Sequence, residues 1–280
     1  MNPDIRSALH QRLRRAPSSA TVPGSLPVLF FGDLFSARVA TVGINPSWQE
    51  YLERDGQELT GTRRRFETLI SLGAPSRSAL TDEQADRAIQ TMRGYFRPGG
   101  NVYSWFAGYA RVMDGMGVSY VHGTAAHLDL VQESTDPVWG DLRKGDPTQA
   151  TALLHVDVPF LKWQIARFPL AAIVCTSSTV ARALSESLGA VVAKDGTTGK
   201  RRWAVATARV AGRVIGLASW DRPLAQAPGL TREEQHALGV TVVKALRRAG
   251  VASFDARGRG SMRFRGGARR ARDPRGGSAA

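Results

Sequence analysis

The sequence predicts an α/β protein built in three layers, with helices on both faces of a central, mostly parallel sheet. Short apolar runs alternate with longer helical stretches along the chain, the order expected when strands and crossover helices take turns. Residues 159–188 give a second sign: a helical stretch ending at Phe168-Pro169, the unbroken apolar run Ala171-Ala172-Ile173-Val174-Cys175, then a second helical stretch. A strand apolar on both sides belongs in a sheet covered on both faces. A third is the run Arg38-Val39-Ala40-Thr41-Val42 closing on Gly43-Ile44-Asn45-Pro46, because open α/β folds bind ligands at the carboxyl ends of their strands.

Residues 1–23 are expected to form a short charged helix followed by Ala16-Pro17-Ser18-Ser19, a linker composition. Strands are expected over residues 26–31, 38–42, 125–132, 171–175, 203–210 and 214–219. Helices are expected over residues 63–72, 81–96, 103–116, 159–168, 179–188 and 231–249. Two of these carry a capping box at the start, Thr81 with Gln84 and Thr231 with Glu234. The α/β body thus spans residues 24–252. Residues 253–280, an Arg/Gly-rich basic tail, cannot bury apolar area and are expected to be disordered.

With 280 residues the chain can bury a full core as one domain of roughly 200–250 residues. No apolar run approaches the ~18 residues of a membrane span, so no membrane association is expected. The N-terminus lacks the apolar segment of a secretory signal, although its Arg-rich helix shares the composition of a transit peptide. A cytoplasmic, bacterial-type and nucleoid-associated monomer is the expectation. Cys175 is the single cysteine, which excludes an intrachain disulfide and any site built from several thiolates. Its apolar setting predicts an inert core thiol.

The net charge of +14 is unevenly spread. Residues 255–280 carry eight Arg against two Asp, and residues 1–23 carry four Arg against one Asp, which leaves +5 for the rest. A basic tail on a mildly basic body suits a polyanion, since each phosphate contact releases counterions.

Three loop motifs carry the candidate chemistry. In the first, Gly43 lets the backbone approach a ligand, Pro46 fixes φ, and Asn45 presents an uncharged amide beside Ile44 and Ser47. Asn45 reads either as a catalytic residue or as a turn residue bonded to nearby backbone. The second is Ala126-His127-Leu128-Asp129-Leu130-Val131-Gln132 and the third is Ser219-Trp220-Asp221-Arg222-Pro223-Leu224. His127 and Asp129 lack the further ligands of a metal site, so no metal is expected, and His127 reads as a packed or hydrogen-bonded histidine.

Taken in order, the three motifs resemble the uracil-DNA glycosylase superfamily over residues 26–250, closest to its mismatch-specific and single-strand-selective branches, which carry a Gly-x-Asn-Pro motif. The resemblance implies that family's three-layer fold and a DNA glycosylase that flips out a damaged or deaminated, uracil-like base and hydrolyses its bond to deoxyribose in base excision repair. DNA would be the partner and no cofactor would be needed. Asn45 would then position the water, with Gly43, Ile44, Pro46 and Ser47 around the base. Asp129 stands where the family reads the base with Asn; ionised, it only accepts hydrogen bonds and favours an edge rich in N–H donors. Its other reading is a strand-end cap or an Arg partner.

The late loop matches the family's His-Pro-Ser-Pro-Leu only at Pro223 and Leu224, the latter as the wedge that fills the stack. The family's His is replaced by Trp220, or by Asp221 in the neighbouring register; both also read as structural anchors. Phe66, Tyr95 and Phe96 are candidates to stack on the base, or are core. Arg63-Arg64-Arg65 would hold phosphates or form a solvated helix face. The motifs contain no Lys, which argues against a Schiff-base lyase step. The alternative reading is a non-catalytic or weakly active nucleic-acid-binding member of the same fold. A generic doubly wound nucleotide binder is disfavoured, because no Gly-x-Gly-x-x-Gly or Gly-Lys-Ser/Thr loop is present.

Overall fold

The computed structural model describes residues 1–221 and 230–252. The expected disordered tail and the loop residues Arg222, Pro223 and Leu224 therefore lie outside the described residues. The fold is α/β, with a six-stranded mixed sheet in the order β2-β1-β3-β6-β5-β4. The strands are β1 (Val39–Gly43), β2 (Ala125–Asp129), β3 (Ala172–Cys175), β4 (Val191–Thr198), β5 (Arg201–Val210) and β6 (Arg213–Trp220). The first four in spatial order are parallel, while β5 and β4 extend the sheet antiparallel to β6. Strands β1, β2 and β3 are buried throughout, as a doubly covered parallel sheet requires. Chain order reverses beside β1, so a crevice is expected at its carboxyl end.

Eight α-helices accompany the sheet among the described residues: α1 (Pro3–Leu13), α2 (Leu69–Leu72), α3 (Asp82–Arg93), α4 (Phe106–Gly115), α5 (Trp139–Gly145), α6 (Pro147–Arg167), α7 (Ser178–Leu188) and α8 (Arg232–Arg248). Both predicted capping boxes form, and Thr68 with Ser71 makes a third. Helices α4 and α8 cross so closely that a Cβ at Gly115 would collide with the His236 carbonyl, and one at Gly239 with that of Val112.

Four expectations need correction. Residues 26–30 run extended without joining a ladder, and only Phe31 bridges, exchanging backbone bonds of 2.8 and 2.9 Å with His127; Pro27 has no N–H to offer a neighbour. The helix expected over residues 63–72 breaks into a 3-10 turn (Gly61–Arg63) and the short α2, because Phe66 turns into the core and Thr68 caps a new start. The helix expected from Pro159 begins at Pro147, with Pro159 in its interior. Strand β4 and helix α5 were not anticipated: β4 is an exposed edge carrying Lys194 and Asp195, without the alternation that marks a half-buried strand.

Residues 1–23 pack into the body rather than standing apart from it. Leu9, Leu13 and Val22 are core, and Arg12 is buried in a charged cluster. Its Nη2 donates to Asp157 Oδ1 at 2.7 Å and to Glu133 Oε1 at 3.2 Å. Arg77 completes the cluster with two 2.9 Å bonds to the Glu133 carboxylate, and Asp157 Oδ2 accepts the Gln132 N–H at 2.8 Å. The loop after β2 is thus gripped from α1, α6 and the turn at Arg77. Arg77→Ala would leave the Glu133 carboxylate buried with one partner fewer, at a cost of about 3–5 kcal/mol. Urea unfolding should register that loss, whereas Arg209→Ala on an exposed stretch of β5 should leave the midpoint unchanged.

Candidate functional site

A cleft of about 390 Å³ opens at the carboxyl ends of β1, β2 and β3. Every residue from Gly43 to Ser47 lines it, together with His127, Asp129, Thr176 and Ser177. Gly43 and Asp129 are register partners in adjacent strands. A Cβ at Gly43 would collide with Asp129 Oδ1 and stand 3.1 Å from the His127 ring, so glycine is what lets the carboxylate and imidazole lie across the strand end.

Asn45 is half-buried, and its Nδ2 donates to Thr135 Oγ1 at 3.1 Å, to the Pro46 carbonyl at 3.1 Å and to the Glu133 carbonyl at 3.3 Å. These contacts fix which way the amide faces. Its Oδ1 has no hydrogen-bond partner among the described residues. The 3-10 turn that follows is capped by Ser47, whose Oγ accepts the Gln49 N–H at 3.2 Å.

Asp129 is buried, and its Oδ2 makes no hydrogen bond among the described residues. Its Oδ1 stands 3.3 Å from His127 Nε2. The other imidazole nitrogen is 2.8 Å from Thr41 Oγ1, which in turn lies 2.7 Å from the Tyr120 hydroxyl. His127 is therefore a packed, hydrogen-bonded histidine at the cleft floor, and the chain Tyr120–Thr41–His127 orients it toward Asp129. A buried carboxylate oxygen without a donor is costly, and a cleft that leaves one open favours a ligand bearing N–H groups.

Glu50 is a site residue that the sequence reading missed. It lines the same cleft, is buried, and accepts from the Tyr95 hydroxyl at 2.9 and 3.0 Å. Burial pushes its carboxyl up to about 8, against the opposing pull of Arg65, whose Nη1 is 3.9 Å away. Its position five residues after Asn45, on the turn that Ser47 opens, was the available signal.

The aromatic walls also differ from expectation. Phe66 is buried, stacked on Tyr95 at 5.1 Å, and Phe96 is buried, stacked on Tyr120 at 4.4 Å. Neither lines the cleft, because both rings are part of the main hydrophobic core. The walls are Trp48, Tyr103, Trp105, Phe106, Tyr109 and Trp139, with Phe31 beneath. Trp220 is buried, roughly parallel to Tyr109 at 6.5 Å, and is not part of the lining. Asp221 faces Arg201 at 3.8 Å. Two of the three motifs thus meet in one cleft, and the described part of the third packs behind a wall of it.

Cys175 is fully buried in β3, and burial pushes its thiol up to about 12, which makes it inert at neutral pH. Among the described residues no group of three or more His, Cys, Asp or Glu could hold a metal ion, and no helix is long and apolar enough to cross a membrane. The chain matches no protein-family model and no curated protein sequence, so the family resemblance rests on the motifs themselves.

Glu50 gives stability a defined pH dependence. The folded protein keeps this proton to about pH 8, whereas the unfolded chain releases it near the ordinary value of 4.5. Stability from this group is full below the lower value and is lost as pH rises through the upper one, by an amount on the order of a few kcal/mol. Glu50→Gln, neutral throughout, should flatten that decline in denaturant titrations across the window.

Proposed function

We propose that the protein is a monofunctional DNA glycosylase with the three-layer fold of the uracil-DNA glycosylase superfamily, hydrolysing the bond between an altered base and deoxyribose. One observation carries the reading: an amide at the end of β1 whose nitrogen is held at three points and whose oxygen has no partner among the described residues, in a cleft large enough to admit a base and walled by aromatic rings. An amide oxygen accepts a hydrogen bond from water and so can aim it at the sugar carbon, but it is a weak base. It suits a reaction in which the glycosidic bond is largely broken, with an oxocarbenium-like sugar, before water adds.

The other residues act on the departing base. Aromatic walls bind its faces and exclude water, which strengthens every polar contact inside. Asp129 Oδ2 accepts from an N–H on the base edge. Glu50, neutral at pH 7, places no second negative charge beside a base that leaves as an anion. As the bond to the base breaks, water's oxygen forms the new bond at the sugar carbon, and its proton passes to solvent or to the released base.

The direct test is alkali-sensitive strand breakage, reporting abasic sites, in single- and double-stranded oligonucleotides that carry uracil, hypoxanthine or other altered bases. Base release is expected from at least one of them, and Asn45→Ala should lower it by about a hundredfold or more while leaving binding intact. Release from none, alongside a gel shift of single-stranded DNA, would favour the binding module. Trp220, packed away from the cleft where the family carries a histidine, is the feature on that side. Asp129→Asn should move preference toward uracil, because an amide both donates to a carbonyl and accepts from N–H; uracil release unchanged by this substitution would remove Asp129 from base recognition.

A further inference from the structure

A second opening, of about 350 Å³, lies next to the base cleft, between the end of α3 and the segments around residues 64 and 100. Its walls carry four guanidinium groups, from Arg64, Arg65, Arg87 and Arg97. Two carboxyl groups stand beside them: Glu67, which pairs with Arg87 at 3.0 Å and stands 3.9 Å from Arg64, and Glu50, 3.9 Å from Arg65. Arg87 holds its charge well above neutrality through that pair. Arg64 Nε is buried without a hydrogen-bond partner, and Arg97 makes no ion pair among the described residues. The opening therefore carries an excess of positive charge.

Its wall is shared with the base cleft. Arg65 lies over the Tyr103 ring at 5.5 Å, and Tyr103 lines the cleft. Tyr95 lines the opening, while its hydroxyl bonds Glu50, which lines the cleft. Arg65 is fixed in this position by donating from Nε to the Asn101 carbonyl at 2.9 Å, and Asn101 in turn donates to the Arg63 carbonyl at 2.7 Å. Arg63 itself turns away to Glu53 at 2.8 Å. A ligand that spans both openings needs a planar ring joined covalently to an anion.

We propose that the opening is a phosphate subsite, in which Arg64 and Arg97 bind the backbone of a nucleic-acid strand whose base occupies the cleft. A guanidinium matches two phosphate oxygens at once, which a lysine cannot do. The net charge of +14 favours a strand over a free nucleotide, since a longer polyanion is attracted more strongly to a basic chain. The subsite rests on the nucleic-acid part of the proposed function and not on cleavage, because a binding module would use it equally. Loss of base release and loss of this subsite are thus separate results.

The test is fluorescence anisotropy of a short labelled single-stranded oligonucleotide with the full-length protein across a salt series. Arg64→Ala and Arg97→Ala should each weaken binding and lower the slope of log K against log salt by about 0.7, the loss of one phosphate contact. Arg64→Lys and Arg97→Lys should keep the slope and lose part of the affinity. Arg209, exposed on β5 opposite Val214 at the far end of the sheet, is the control. Slopes unchanged in the alanine variants, or lowered as much by Arg209→Ala, would overturn the proposal. So would a mononucleotide that binds as tightly as the strand and loses as much from both alanine variants, which would reassign the opening to a free nucleotide.

Discussion

The carboxylate of Glu133 is the point on which the site depends. It sits buried between Arg12 and Arg77, residues brought from distant parts of the chain, while its backbone carbonyl accepts from the amide of Asn45. A buried ion pair adds little net stability over an apolar contact of equal volume, because desolvation offsets most of the attraction. Its effect here is directional. The Arg12 and Arg77 guanidiniums and the Asp157 carboxylate hold residues 132 and 133 in one conformation, and that conformation presents the Glu133 carbonyl, one of the three acceptors that orient Asn45. The N-terminal helix, remote from the cleft in sequence, is therefore part of its support.

The cleft holds two carboxyl groups whose surroundings separate their roles. Glu50 is desolvated, bonded by a tyrosine hydroxyl and raised to about 8. Asp129 stands beside His127 with one oxygen open. Glu50 therefore offers a neutral carboxyl, while Asp129 leaves one oxygen without a donor among the described residues. The close register of Gly43 with Asp129 makes the pairing possible, since any side chain at position 43 would occupy the carboxylate's place.

Much of the parallel sheet was legible because its strands are unbroken apolar runs ending in turn residues. Val39–Gly43, Ala125–Asp129 and Ala172–Cys175 fall within a residue or a few of expectation. The edge strand β4 was not legible, since exposed Val191 and Val192 followed by Lys194 and Asp195 lack a buried face to impose a period. The convergence of Asn45 and Asp129 followed from motif order and strand ends. Phe66 and Phe96 were misplaced, because an aromatic near a motif reads the same whether it lines a cleft or fills the core beneath it. Glu50 was overlooked for a related reason: burial, which sets its chemistry, is a property of packing that no local pattern encodes.

Arg65 lines the second opening, with one nitrogen near Glu50 and its guanidinium over Tyr103, both of which line the cleft. An anion drawn to this guanidinium competes with Glu50 for the same charge. Filling one compartment then alters the proton affinity inside the other, and by linkage the influence runs equally in reverse. Under the proposed function, grip on a backbone and choice of what enters the adjoining chamber are, through a single side chain, one equilibrium.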